Sequence, residues 1–154
     1  MPITIKDYIN KANFVKDNIL IEQERIVLKN ENRITNLNIN QIELSQDSNG
    51  NLLKNTDKKF KGVYSMATQM INPNKIAGTP YNFFNTGDFL HNFKINLADN
   101  LSKIDIFSTG TGGDLKAMFF KGYTNIFGLT KENQVQLNNS IILPELQLFI
   151  KKYL

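Results

Sequence analysis

Between residues 93 and 106 the apolar residues alternate. Phe93, Ile95 and Leu97 are separated by Lys94 and Asn96, and Ile104 and Ile106 alternate with Lys103 and Asp105. A period of two places successive side chains on opposite faces of a strand. Asp99-Asn100 supplies a two-residue reversal between the halves. Outside this hairpin the period changes. Tyr8, Ala12, Val15, Ile19, Ile26, Ile34 and Leu37 recur at steps of 3, 4, 7 or 8, and Val135, Ile142, Leu146, Phe149 and Tyr153 at steps of 7, 4, 3 and 4. Those spacings return to one face of an α-helix. The two periods together predict an α+β fold, with helices at the N- and C-terminus packed on a small antiparallel sheet (hairpin about 93–107).

The N-terminal stripe serves either the core or docking against a neighbouring subunit. Lys16-Asp17-Asn18 marks a break, giving one short and one longer helix or a single bent one. Asn38-Ile39-Asn40-Gln41 fits a new helix start, with Asn38 as N-cap, closing near Ser45. Asp47-Ser48-Asn49-Gly50 is a tight turn, because Asn-Gly tolerates positive φ. A Lys-rich bend, 54–61, is a solvated loop or a phosphate contact. Met66–Ile71 fits a brief helix, followed by an irregular loop through Pro73 and Pro80. Thr86 fits an N-cap with Asp88 in the first turn, so that Phe89, Leu90 and Phe93 point inward. Pro144 breaks or kinks the C-terminal helix that starts at Lys131, or opens a second one. Residues 1–154 are expected to form a single domain, with the helical segment about 4–45 a candidate extended arm.

Chemistry finds little purchase in these residues. No cysteine is present, which excludes thiolate nucleophiles and most structural zinc sites, and His91 is the sole histidine. Asp88 stands three residues before His91, the pairing an acid–base catalyst would need, yet no catalytic spacing accompanies it. Thr109-Gly110-Thr111-Gly112-Gly113-Asp114 is Gly-rich but lacks the Gly-Lys-Ser/Thr ending of a phosphate loop and places an acid at its mouth. The chain is therefore expected not to be an enzyme, to need no cofactor or metal, and to take no small-molecule substrate. No apolar run approaches the roughly 18 residues that span a bilayer, so no membrane role is expected. Charge is uneven: residues 1–50 hold six Lys or Arg against seven acids, and residues 51–154 hold twelve Lys against seven acids. Only two arginines occur, which argues against base or phosphate reading as the main task.

The order of motifs resembles that of small proteins from tailed-phage head–tail junctions, the tail-completion, neck and minor tail proteins. Their pattern is a Thr-Gly-(Asp/Arg)-hydrophobic motif opening a short helix, then a strand pair, then Gly-Leu-Thr before a C-terminal helix. The matching residues are Thr86, Gly87, Asp88 and Phe89, the segment 94–107, and Gly128, Leu129 and Thr130. Asp47–Gly50 and Gly62-Val63-Tyr64-Ser65 are similar to features of the versions carried by phages and prophages of Bacteroidetes. Departures are Asp88, where many relatives carry a basic residue, and Asn125-Ile126-Phe127 in place of Arg-Pro-Phe. The resemblance implies a structural virion protein, assembled in the host cytoplasm and placed at the head–tail junction. It further implies a homo-oligomeric ring touching portal, neck or tail subunits, with DNA only as passing cargo. The alternative from a different class is a nucleic-acid-binding accessory protein using Lys54, Lys58, Lys59 and Lys61, with Lys116 and Lys121, on the backbone.

Overall fold

Thr4 starts the first helix. Its hydroxyl accepts from the Asp7 N–H at 3.3 Å, while its own N–H donates to Asp7 Oδ2 at 2.8 Å, a reciprocal capping box. In the computed structural model, which describes residues 4–53, 62–84, 87–98, 103–110 and 125–154, this helix (α1) runs unbroken over Ile5–Lys29. The expected break at Lys16–Asn18 does not occur: Asn18 Nδ2 donates to Phe14 O at 2.8 Å and stays within the helix. The chain bends instead at Asn30, whose amide takes the Ile26 carbonyl at 2.9 Å and Glu145 Oε1 at 3.0 Å. A second helix (α2) follows over Glu31–Glu43.

Asn38 is thus not a helix start. It lies inside α2, fully buried, in the same row as Ile34 and Ile42. After α2, Asp47 Oδ1 accepts from the N–H groups of Asn49 and Asn51, both at 2.9 Å, and Gly50 takes φ +79°, which forms the expected turn. A finger spans residues 62–81. Its base is closed by an antiparallel bridge between Val63 and Pro80 and by Tyr81 N–H to Gly62 O at 3.1 Å. Gly62 has φ +82°, and a Cβ there would overlap the Leu53 carbonyl. The finger carries a six-residue helix (α3, Met66–Ile71) capped by Ser65.

The one-turn helix α4 (Asp88–His91) leads into β1 (Phe93–Leu97), which pairs antiparallel with β2 (Ile104–Ser108), Phe93 opposite Ser108 and Leu97 opposite Ile104. Burial alternates as the sequence pattern predicts: Phe93 and Ile106 are buried, Lys94 and Phe107 exposed. The Asp99-Asn100 reversal lies outside the described residues. Glu31 Oε1 accepts from the Ile95 N–H at 3.1 Å, which ties the sheet to the start of α2.

The C-terminal helical run starts at the Thr130 N-cap. It comprises α5 (Lys131–Leu137), a π-turn (Asn138–Ile142) and α6 (Leu143–Tyr153). Pro144 causes the π-turn to be useful. With no N–H it cannot donate to Ser140, and the widened turn instead bonds Leu143 N–H to Asn138 O, putting Pro144 at the opening of α6. The extra residue shifts the helix phase by about 100°. Val135, expected on the inner stripe, is consequently exposed, and Leu137 and Ile141 face the core in its place. The core gathers Ile26, Val27, Ile34, Ile42, Phe89 and Phe93 with Ile106, Leu129 and Ile141. The fold is α+β, as expected.

Candidate assembly surfaces

Two of the sequence motifs meet inside the molecule. Gly87 is the N-cap of α4 at φ +86°, and its carbonyl accepts from the His91 N–H at 2.9 Å. A Cβ on Gly87 would stand 2.7 Å from His91 Cε1. The expected cap residue, Thr86, lies outside the described residues. Asp88 accepts from Asn92 Nδ2 at 3.1 Å through Oδ1 and at 2.8 Å through its carbonyl, so it braces the end of its own turn. Phe89 is buried and packs its ring 5.3 Å from Phe93 and 6.0 Å from Phe127, centroid to centroid. Phe127 immediately precedes Gly128-Leu129-Thr130. The corner and the Gly-Leu-Thr segment therefore share one aromatic cluster.

The second motif is held by residues whose role the sequence pattern did not reveal. Asn38 donates to Ile126 O at 3.0 Å and accepts from Gly128 N–H at 3.2 Å. Gln41 donates to Gly128 O at 3.1 Å and accepts from Thr130 N–H at 2.9 Å. Two carboxamides on one face of α2 thus satisfy alternate backbone groups of an extended segment, much as a neighbouring strand would. Leu129 is buried, and Thr130 accepts from Asn133 N–H at 3.2 Å to cap α5. Gly128 sits at φ +123°, with Ser48 Cβ 3.2 Å from where its Cβ would be. The signal available in the sequence was that Asn38 and Gln41 fall among Ile34, Leu37 and Ile42, so a helix continuing through them buries both.

α1 and α6 lie antiparallel. Lys29 Nζ meets Glu145 Oε2 at 2.8 Å at one end, and the Phe14 and Tyr153 rings pack tilted with centroids 4.7 Å apart at the other. The hydrogen bonds from Lys29 and then Asn30 hold the Glu145 carboxyl below its ordinary pKa, and the Arg25 hydrogen bond does the same for Glu22. From Ile5 to the Phe14 contact the first turns of α1 form an arm of roughly 13 Å. Ile5 is 81% exposed, and Tyr8 and Ile9 are more than half exposed.

A comparable apolar display tops the finger, where Met70 and Ile71 are 83% and 87% exposed. No residue of α3 is buried.

A cleft of about 430 Å³ between the hairpin and α5 is lined by Ile34, Ile104, Ile106 and Leu129, with Lys103 the one charged residue among the described lining. Among the described residues no group of three or more His, Cys, Asp or Glu side chains could hold a metal, and no helix is long and apolar enough to cross a membrane. Lys54, Lys58, Lys59, Lys61, Lys116 and Lys121 lie outside the described residues. No family model, curated protein or solved structure matches the chain.

Proposed function

We propose that this chain is a structural assembly subunit of the head–tail junction type, which acts by packing against copies of itself and against neighbouring virion proteins. The observation that carries the reading is the α1 arm, whose Ile5, Tyr8 and Ile9 are more than half exposed. Unpartnered apolar faces on rigid elements are costly to leave in water and mark interaction sites. The buried corner and the clamped Gly-Leu-Thr segment serve as rigid scaffold behind those faces. The motif order supports the virion assignment, and the apolar surfaces support the mode of action.

The reading is tested by light scattering over a concentration series, with the wild-type chain and with Ile5→Asp/Ile9→Asp. The wild type is expected to grow beyond monomer mass, and the double variant to remain monomeric with an unchanged circular dichroism spectrum. A wild-type chain that stays monomeric throughout, alone and beside a portal ring, contradicts the reading.

A further inference from the structure

The two edges of the hairpin are treated differently. Ala98 N–H donates to Lys103 O and Thr109 N–H to Asn92 O, both at 3.0 Å. In this register the backbone groups of Asp105 and Phe107 face β1, and the residues between them turn theirs outward. On the β1 side the Ile95 N–H is such an outward group, and Glu31 Oε1 takes it at 3.1 Å. On the β2 side the outward N–H and C=O groups are those of Ile104 and Ile106. Among the described residues none bonds to them. The cleft of about 430 Å³ lies against this open edge, lined by the strand from Lys103 to Ile106 and by the apolar Ile34, Leu129 and Leu137. Three residue steps cover about 10 Å, so its cross-section is about 43 Å². One strand in a packed sheet takes about 48 Å², from spacings of about 4.8 Å between strands and about 10 Å between layers. The space is that of one strand.

We infer that β2 takes a third strand, an extended peptide segment of a partner protein that is apolar at every second residue. Its backbone pairs with Ile104 and Ile106, and its apolar side chains turn into the cleft. An open edge recognises a row of N–H and C=O groups that repeats every two residues, and an extended backbone supplies that row. Ile34, Leu129 and Leu137 call for apolar side chains on the inner face of the added strand. The other face of β2 carries the Lys103–Asp105 ion pair at 2.5 Å, which calls for polar ones. A second copy of this chain fits less well. Its own open strand is β2, which carries β1 along its far side and is therefore twice the width of the cleft. The contact goes beyond the assembly reading and does not use the α1 arm.

Amide hydrogen exchange, read residue by residue by NMR, tests the contact on the full chain. Alone, Ile104 and Ile106 are expected to exchange fast beside slow Asp105 and Phe107. The probe is the synthetic peptide Lys-Val-Thr-Val-Thr-Val-Lys at millimolar concentration, expected to slow exchange at Ile104 and Ile106 roughly tenfold. Two further peptides, N-methylated at the valines or at the threonines, block one backbone edge each. One of them is expected to lose the effect and the other to keep it. Ile104→Pro removes an outward N–H at the first residue of β2, where proline spares the β1 ladder. It is expected to weaken peptide binding several-fold, while Ile104→Val binds as the wild type does. Exchange at Ile104 and Ile106 that the parent peptide leaves unchanged overturns the inference. So do two methylated peptides that bind equally well, because backbone pairing is then not what holds them. Protection of Ile104 and Ile106 that grows with protein concentration in the absence of peptide gives the edge to a second copy and overturns it as well.

Discussion

Asn38 shows how much one buried amide decides. Its side chain is fully enclosed and serves Ile126 O and Gly128 N–H at once. Asn38→Leu fills the space but orphans both backbone groups, each worth about 1–3 kcal/mol when buried without a partner. The expected loss is about 3 kcal/mol, a fall in Tm of roughly 6–12 °C for a chain of this size. Asn36→Ala, at an exposed position on the opposite side of α2, is expected to stay within about 0.5 kcal/mol. Thermal unfolding of the two variants checks the contrast. The two motif glycines separate similarly. Gly87→Ala meets a histidine ring that can swing aside, so only backbone strain of about 1–2 kcal/mol remains. Gly128→Ala at φ +123° meets Ser48 Cβ as well and is expected to cost more, about 2–3 kcal/mol, in the same unfolding measurement. Motif glycines are legible in a sequence because only glycine takes those angles at little cost. The carboxamides that grip Gly128 were not, since Asn and Gln look alike in a cap, on a surface and in a core.

Among the elements, those specified locally were read correctly. The alternation of Phe93–Leu97 and Ile104–Ile106, the Asp47–Gly50 turn and the short Met66–Ile71 helix depend on neighbours within a few residues. What escaped depends on partners distant in sequence. The bend at Asn30 is set by Glu145, 115 residues away, and the phase of the last helix by a π-turn that no apolar spacing announces. Glu145 makes the α1–α6 junction sensitive to acid. Its folded pKa is depressed by Lys29 and then Asn30, so its contribution is complete above the unfolded value. That contribution is lost as the pH falls past the ordinary glutamate value of 4.5 and through the lower folded one. Glu145→Gln is expected to melt below the wild type at pH 7, the gap closing as pH falls into that range. A gap independent of pH in the thermal melts contradicts the role given to the charge.

For the whole molecule, the sequence carried the layout of helices and hairpin and the absence of familiar catalytic spacings. It did not distinguish an apolar stripe that is buried from one that is displayed. Val15 and Ile26 are buried on the stripe that also holds Tyr8, which is exposed, and no local pattern encodes that difference. The central claim is that these displayed surfaces are covered when copies meet. Amide hydrogen exchange, resolved by segment at low and high protein concentration, tests it most directly. The account predicts that the first turns of α1 and the α3 finger become protected as concentration rises, while α2, already enclosed, does not change. Exchange in the arm and finger that is the same at every concentration contradicts it.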